Sequence, residues 1–450
     1  MDHLFEELLD RAKKEDAGEI ELIYLQDRGL KIRVFEGKVD TFKVARSCGL
    51  GIRLIKEGRC GLAYTEKLDP ASLQNTLKLA IANSQINPID LCHQIMNYGH
   101  DSFPEMDLVD NRIDKRVVED KIGLALAMEQ MARDYDPRII NIPFSTYFEG
   151  WREIKLLNSK GFCGAYQKSG WGAAIEVMAK KDHEIKSPYK YGYATRLEDL
   201  APQDLASKAA EEAVRRLGAT EPESGNYKVI FLNEVARELL ATFAGAFSAK
   251  NVLKGLSLLA DKLGQVIAAP EVSLIDNPLL DNGFASRPFD DEGLVSRATE
   301  IISAGVLKSF FHNSYTACKA GVNSTGHASR PSIKAGLEVA PSNLYLKPGP
   351  ASLPDLMGLA HNGILLVELD GLHSGANPVS GDFSLGAQGY FFEQGEVRYP
   401  LHNFTVAGNF FHLLKNIIGL GNDLEFSPPM AGSAIGSPSI LVSSLSISGK

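Results

Sequence analysis

The 450-residue chain contains no run of about 18 apolar residues, the length a helix needs to cross a bilayer, so a transmembrane helix is excluded. It does not open with a basic stretch followed by a purely apolar one. Its first residues, Met-Asp-His-Leu-Phe-Glu-Glu-Leu-Leu, are acidic and amphipathic, and no secretory signal peptide is expected. Cysteine is scarce. Cys48, Cys60, Cys92, Cys163 and Cys318 are scattered, odd in number and form no CxxC pair. A disulfide framework is therefore not indicated, and reduced thiols in a cytoplasm are expected. Positive charge is in deficit: 47 Lys and Arg stand against 56 Asp and Glu, a formal net charge of −9. That balance argues against the basic face that direct nucleic-acid binding needs, and against an anionic membrane surface as partner.

Several chemical signatures are also missing. There is no Walker A pattern, and Gly49-Leu-Gly51 and Gly419-Leu-Gly421 stop short of a dinucleotide fingerprint. No GxSxG nucleophile elbow occurs. No repeat of 20–50 residues and no low-complexity tract is visible. A zinc peptidase of the HExxH kind needs two imidazoles on one helix face and a carboxylate to activate water. The His-Glu step here, His183-Glu184, leads into Ile185-Lys-Ser-Pro188 without a second histidine. With Lys180, Lys181 and Asp182 before it, it reads as a hairpin tip. Trp151 and Trp171 border strands and read as packing anchors.

What is present is an ordinary globular composition, 44% hydrophobic and 23% charged. At this length two domains are expected. Residues 2 to 16 read as a helix with Leu4, Phe5, Leu8, Leu9 and Ala12 on one stripe. From Glu19 to about Tyr64 the hydrophobic period is two. Breaks at Asp27-Arg-Gly29, Glu36-Gly37, Cys48-Gly49 and Glu57-Gly58 predict a meander of four or five antiparallel strands. Helices are predicted over 70–84, 115–135 and 202–217, around a β-rich block at 139–193. The polar stretch Gly218-Ala-Thr-Glu-Pro-Glu-Ser-Gly225 marks a boundary between domains at 1–220 and 225–450. The second domain opens with a strand at 228–231. A helix follows from Glu234 to Phe247 capped by Asn233, then a second helix over 252–263, then short strands and Gly-rich turns. Strands and helices intersperse without alternating one for one, so the class is α+β.

The densest turn chemistry lies at Gly371–Gly389, which packs five glycines and an Asn-Pro step between Ile364–Leu369 and Tyr390–Phe392. A loop of that length inside a compact domain binds something or closes a groove more often than it merely connects. Together with Asp290-Asp-Glu-Gly293, His312–Ala317, Ser324-Thr-Gly-His-Ala-Ser-Arg330, Thr405–Asn409, Ile418–Asp423 and Gly436–Ile440, it resembles the PmbA/TldD family, peptidases also called modulators of DNA gyrase. The nearer likeness is to the PmbA (TldE) branch. The blocks span residues 225 to 450, and the N-terminal half agrees in layout.

The resemblance implies where zinc chemistry would be. The family's catalytic TldD branch carries His-Glu-x-x-x-His and a later cysteine ligand. Laid on Leu239–Ala246, the two histidine positions fall on Ala241 and Ala246 and the glutamate position on Thr242, with Gly245 retained. No cysteine follows Cys318. Alanine and threonine cannot hold zinc, so no catalytic residue, metal ligand or cofactor is expected in this chain. The resemblance implies a non-catalytic subunit of a cytoplasmic zinc metallopeptidase complex for peptide processing or degradation. Zinc is then expected in a TldD-like partner, as a heterodimer, with a homodimer open to the chain alone. Ser324, Gly326 and His327 in one loop, and His373, Ser374, Asn377 and Asp382 in the other, are candidates to line a peptide groove.

Two alternatives remain at this point. One is a self-sufficient peptidase with a displaced site. For it, a Ser-His-Asp set from His373, Ser374 and Asp370 or Asp382, or a metal set from His361, His373, His402 and His412, has no support beyond residue type. The other is a protein-interaction modulator of DNA gyrase acting without direct DNA contact.

Overall fold

The computed structural model describes residues 2–98 and 103–450. The first half contains helix α1 (Asp2–Lys14), strands β1 (Glu19–Phe35), β2 (Lys38–Lys56) and β3 (Arg59–Thr65), and helices α2 (Pro70–Ile86) and α3 (Val118–Asp134). Strands β4 (Ile139–Asn158), β5 (Cys163–Lys181), β6 (Glu184–Lys186) and β7 (Tyr189–Ala194) and helix α4 (Pro202–Arg215) follow. All seven strands form one antiparallel sheet in the order β3-β2-β1-β4-β5-β6, with β7 also on β5.

The meander has three long strands where four or five are predicted. Glu36-Gly37 and Glu57-Gly58 are true hairpin turns, with positive φ at both residues of each pair, as a type I′ turn requires. Asp27-Arg-Gly29 and Cys48-Gly49 are not breaks. Gly29 pairs with Ala45 on one side and Gly150 on the other, and Gly49 pairs with Leu25. Ladders on both flanks of β1 hold these turn-prone residues extended. The His183-Glu184 step does sit at the β5–β6 turn.

Strand alternation divides the sheet's faces. Leu22, Tyr24, Leu50, Ile52 and Leu54 pack against α1 and α2 through Phe5, Leu8, Leu73 and Leu77. Ile32, Val34, Tyr147, Trp171 and Ile175 pack on α3 and α4. The odd residues Ile23 and Leu25, with Ile154 and Leu156, face the other way, onto Phe289 of the second half. Trp171 is fully buried, as expected of an anchor, whereas Trp151 is half-buried beneath the Arg28 guanidinium, 4.1 Å from its ring centre.

The second half opens with β8 (Gly225–Phe231), α5 (Asn233–Phe243), α6 (Ala249–Leu253), β9 (Leu274–Asp276), β10 (Thr299–Ser303) and β11 (Val306–Leu307). Next come α7 (Ser314–Ala320), β12 (Ala328–Ser329), β13 (Glu338–Val339), β14 (Asn343–Leu346), α8 (Leu353–Ala360), β15 (Asn362–Asp370) and β16 (Asp382–Glu393). The chain ends with β17 (Glu396–Asn409), α9 (Phe410–Lys415), β18 (Ile417–Leu420), β19 (Glu425–Phe426), β20 (Ala434–Ser437) and β21 (Ile440–Ser448). One sheet runs β11-β10-β9-β14-β20-β19. The other runs β17-β16-β15-β8-β21-β18, and β17 pairs again with β21 through Thr405–Ala407, closing the sheet on itself there. The protein is thus mixed α+β. Every strand of the first sheet comes from residues 19–194, and every strand of the others from 225–448.

Three further expectations need correcting. The helix predicted over 252–263 is only α6. Gly255, at φ +69°, ends it, and the Ser257 hydroxyl then donates to the Ala246 carbonyl and accepts from Leu259 N–H, fixing a turn. The Gly371–Gly389 loop is shorter, residues 371–381, because Phe383, Leu385 and Ala387 alternate inward and carry β16 through the later glycines. Cys92 and Cys318 are not reduced thiols: the two are joined as a disulfide.

Candidate functional site

Helix α5 and the turn after it hold Ala241, Thr242 and Ala246, the positions that the sequence resemblance assigns to zinc chemistry. Val235, Ala236, Leu239, Leu240 and Phe243 form the buried stripe of the helix, and Phe243 stacks on Phe410 with ring centres 4.6 Å apart. Asn233 is the first helical residue and not the cap. Its side-chain oxygen accepts from Glu234 N–H at 2.7 Å and its amide donates to the Asp423 carbonyl at 2.8 Å. Ala241 lies on the exposed face, and the Thr242 hydroxyl donates back to the Glu238 carbonyl at 2.9 Å. After Phe243 the chain tightens to a 3₁₀ turn over 244–247. The Asn251 amide bonds the Gly245 carbonyl at 2.8 Å, and Ala246 points into the core at 1% exposure. Positions 241 and 246 therefore face solvent and core, and neither carries a ligand atom. Among the described residues no group of three His, Cys, Asp or Glu side chains is set to hold a metal ion. These residues do not fit zinc.

The residues named for a groove fall into two separate settings. Ser324 is half-buried and donates to the His312 carbonyl at 3.2 Å; Gly326 turns at φ +81°. His327 is inside, at 1% exposure. Its Nδ1 lies 2.8 Å from Thr325 Oγ1, its Nε2 3.1 Å from Asp276 Oδ2, and its ring rests on Phe311. In the other loop His373, Ser374, Asn377 and Asp382 are exposed. Asn377 Oδ1 accepts from Val379 and Ser380 N–H groups, and Asp382 accepts from the Asn409 amide at 2.9 Å, which with Ser380 holds its carboxyl below the usual range. The hydroxyl of Ser374 turns to the Gly371 carbonyl, away from triad chemistry.

A dense set of buried charges that sequence reasoning missed lies at the seam between the halves. Glu21 on β1 and Arg53 on β2 are opposite each other in the ladder and buried. Arg53 Nε reaches Glu21 Oε1 at 3.0 Å and Nη2 reaches Oε2 at 3.2 Å. From the second half, Glu292 approaches Arg53 Nη2 at 3.4 Å and Arg330 pairs with the same Glu21. Glu292 also accepts from the N–H and hydroxyl of Ser314 at the start of α7. Asp290 accepts three backbone N–H groups, from Glu292, Leu294 and Ala328. Burial, followed by the charge of Glu292, pushes its carboxyl up, and burial likewise raises Asp291. The Asp290–Gly293 and Ser324–Arg330 blocks are therefore one buried polar joint. A signal was available in the first half: Glu21 and Arg53 are single charges inside the apolar runs Ile20–Ile23 and Ile52–Leu54.

A second connection lies beside it. Asp90 binds the Lys319 ammonium at 2.8 Å and the Tyr315 hydroxyl at 2.9 Å, His93 stacks on Tyr315, and the Cys92–Cys318 disulfide joins the segment before α3 to α7.

Comparison with known proteins places this architecture. Residues 20–84, 111–217 and 224–449 match, in order, domain 1, the central domain and the C-terminal domain of the PmbA/TldA metallopeptidases. The metalloprotease PmbA homolog of Haemophilus influenzae is 29% identical over 424 residues, covering 94% of this chain and 90% of that protein. The metalloprotease PmbA of Escherichia coli O157:H7 is 28% identical over 415 residues, covering 92% and 89%. Among solved structures, a Thermotoga maritima protein named as a modulator of a DNA gyrase superposes with TM-score 0.91 at 31% identity, over 99% of this chain and all 100% of that one. TldE from Thermococcus kodakarensis shares the fold, with TM-score 0.89 at 23% identity and coverage of 99% and 100%. With three consecutive domain matches and a 31% identical relative aligned end to end, the chain belongs to the PmbA/TldD family.

Proposed function

We propose that this chain is the PmbA (TldE)-like subunit of a zinc metallopeptidase complex that processes or degrades peptides, and that it is itself non-catalytic. Zinc and the water-activating carboxylate belong, on this reading, to a TldD-like partner in a heterodimer. The single observation that carries the reading is α5: alanine, threonine and alanine occupy the positions where the family resemblance puts two histidines and a glutamate. The supporting observation is that no alternative metal-holding cluster exists among the described residues. The groove role of the 321–330 and 371–381 loops belongs to the same proposal. For the second loop it rests on exposed polar side chains; His327 supports its loop from inside.

We place the complex in the cytoplasm. No helix among the described residues is long and apolar enough to cross a membrane. The disulfide pulls the other way, since such bonds are uncommon in reducing compartments. Thiol titration of protein taken rapidly from its native cells decides between them.

A second reading, a self-sufficient peptidase, draws on the word metalloprotease in the names of the Haemophilus and Escherichia relatives. A modulator of DNA gyrase draws in the same way on the Thermotoga name. The test is zinc content by elemental mass spectrometry after brief dialysis against a weak chelator, with peptide cleavage assayed for the chain alone and mixed with a TldD-like protein of the same cell. No zinc and no cleavage alone, with cleavage in the mixture, is expected. About one zinc per chain, or cleavage by the chain alone, would overturn the non-catalytic assignment.

A further inference from the structure

A cavity of about 330 Å³ opens between the two halves on the face of the first sheet opposite its helices. Its walls come from β1, β4 and β5 on one side and from the turns at 282–286 and 429–432 on the other. Its size is at the lower end of the range for small-molecule sites.

The charges of the walls are almost all spoken for. Asp27 and Arg152 form a two-pronged pair, with Nη2–Oδ2 at 3.1 Å. Arg28 lies over the Trp151 ring and bonds Asp114 at 3.1 Å, and Asp107 pairs with Arg196 at 2.6 Å. The exception is Lys168 on β5, directly across the ladder from Arg152. Among the described residues its ammonium has neither an ion-pair partner nor a hydrogen bond, and only the more distant carboxylates of Asp291 and Asp27 favour its charge. Burial first, then the guanidiniums of Arg152 and Arg287, lower it to about 8. A half-buried cation in a cleft beside two others, with no ion pair or hydrogen bond of its own, is left free to take an anion from outside.

The remaining lining is apolar and aromatic. Phe284 meets Tyr193 edge to face, with centres 4.8 Å apart, and Pro331 and Pro429 complete that side. Tyr193 can lie in this wall because position 170 is glycine; a Cβ there would sit 1.7 Å from the tyrosine oxygen.

We propose that this cleft binds a small organic carboxylate, its anionic end on the Lys168 ammonium and its apolar body against Phe284 and Tyr193. Two sources supply that chemistry: a free aryl-alkyl acid, or the C-terminal carboxylate of a peptide.

The test is calorimetric titration of the full chain with 3-phenylpropionate and with N-acetyl-glycyl-phenylalanine, each beside its uncharged amide. Expected is saturable binding of at least one acid, no binding of its amide, and a loss of about tenfold or more in Lys168→Met, the range for a charge-assisted hydrogen bond. Binding of phenylpropionate alone assigns the site to free acids; binding of the dipeptide as well assigns it to any carboxylate terminus. In the unaltered protein, acetylation of Lys168 by an amine-reactive ester, read by peptide mass mapping, is expected to slow when the bound acid is present. That measurement holds even where Lys168→Met folds poorly. No binding of either acid, equal binding of acid and amide, or unprotected acetylation at saturating acid would overturn the proposal.

Discussion

Cys92 and Cys318 are 226 positions apart in the chain and joined by a disulfide, with Cα atoms 5.5 Å apart. The bond ties the first half of the protein to helix α7 of the second. Closing so long a loop removes much freedom from the unfolded chain. Cys318→Ser, or reduction, is expected to cost about 2–5 kcal/mol. Thermal unfolding with and without reductant measures it, and identical melting of the two forms would contradict the bond's structural role.

Asp90, next to that bond, titrates with consequence. Its hydrogen bond from Lys319, with help from Cys92 N–H and Tyr315, depresses its carboxyl to about 2. A depressed carboxylate stabilises the fold above its unfolded value, near 4, and that contribution disappears as pH falls towards 2. Asp90→Asn is therefore expected to lower stability at pH 6 and to flatten its decline between about pH 4 and 2. Urea unfolding of both proteins across that window provides the comparison.

Arg330→Met removes one cation from the buried joint and leaves Glu21 with Arg53 alone. Breaking a buried pair from one side costs about 3–5 kcal/mol. Chemical denaturation is expected to show a loss of that order, and a loss under about 1 kcal/mol would mean water reaches the joint.

Gly61 on β3 touches α2: a Cβ there would lie 2.0 Å from the Ala80 carbonyl oxygen. Since backbone cannot rotate away, Gly61→Ala is expected to push α2 off the sheet at a cost of about 1–3 kcal/mol. A melting curve like the parent's would show that α2 has room to shift.

Ala246→His probes one of the two positions that the family resemblance assigns to zinc-binding histidines. The side chain would enter the core beside Phe243 and Phe247, so the expected result is destabilisation of about 1–3 kcal/mol from overpacking. No gain of zinc is expected even alongside Ala241→His and Thr242→Glu, because Ala241 faces outward. Tight zinc binding by the triple variant would show that the two positions do converge.

The sequence made the helices of the first half and α5 legible, and the strand character of residues 19–64, because amphipathic stripes such as Leu4-Phe5-Leu8 and alternations such as Leu50-Ile52-Leu54 report burial locally. It misled at Asp27-Arg-Gly29, where turn-forming residues are held extended by ladder partners 16 to 20 and more than 100 residues away. It hid the disulfide and the His327–Asp276 contact, since neither pairing has a spacing rule. The seam was not legible: that Glu21, Arg53, Glu292 and Arg330 meet depends on how two halves dock, and each looks alone like an ordinary charge.

That joint also restricts how the protein can be rebuilt. Glu21 accepts from a guanidinium of each half, and Arg53 touches a carboxylate of each. Its two sides form a matched lock. A chimera joining residues 1–217 of this chain to the rest of a relative receives only half of the combination, and unless the relative supplies an anion and a cation at the places of Glu292 and Arg330, it carries unpaired charge into its own middle.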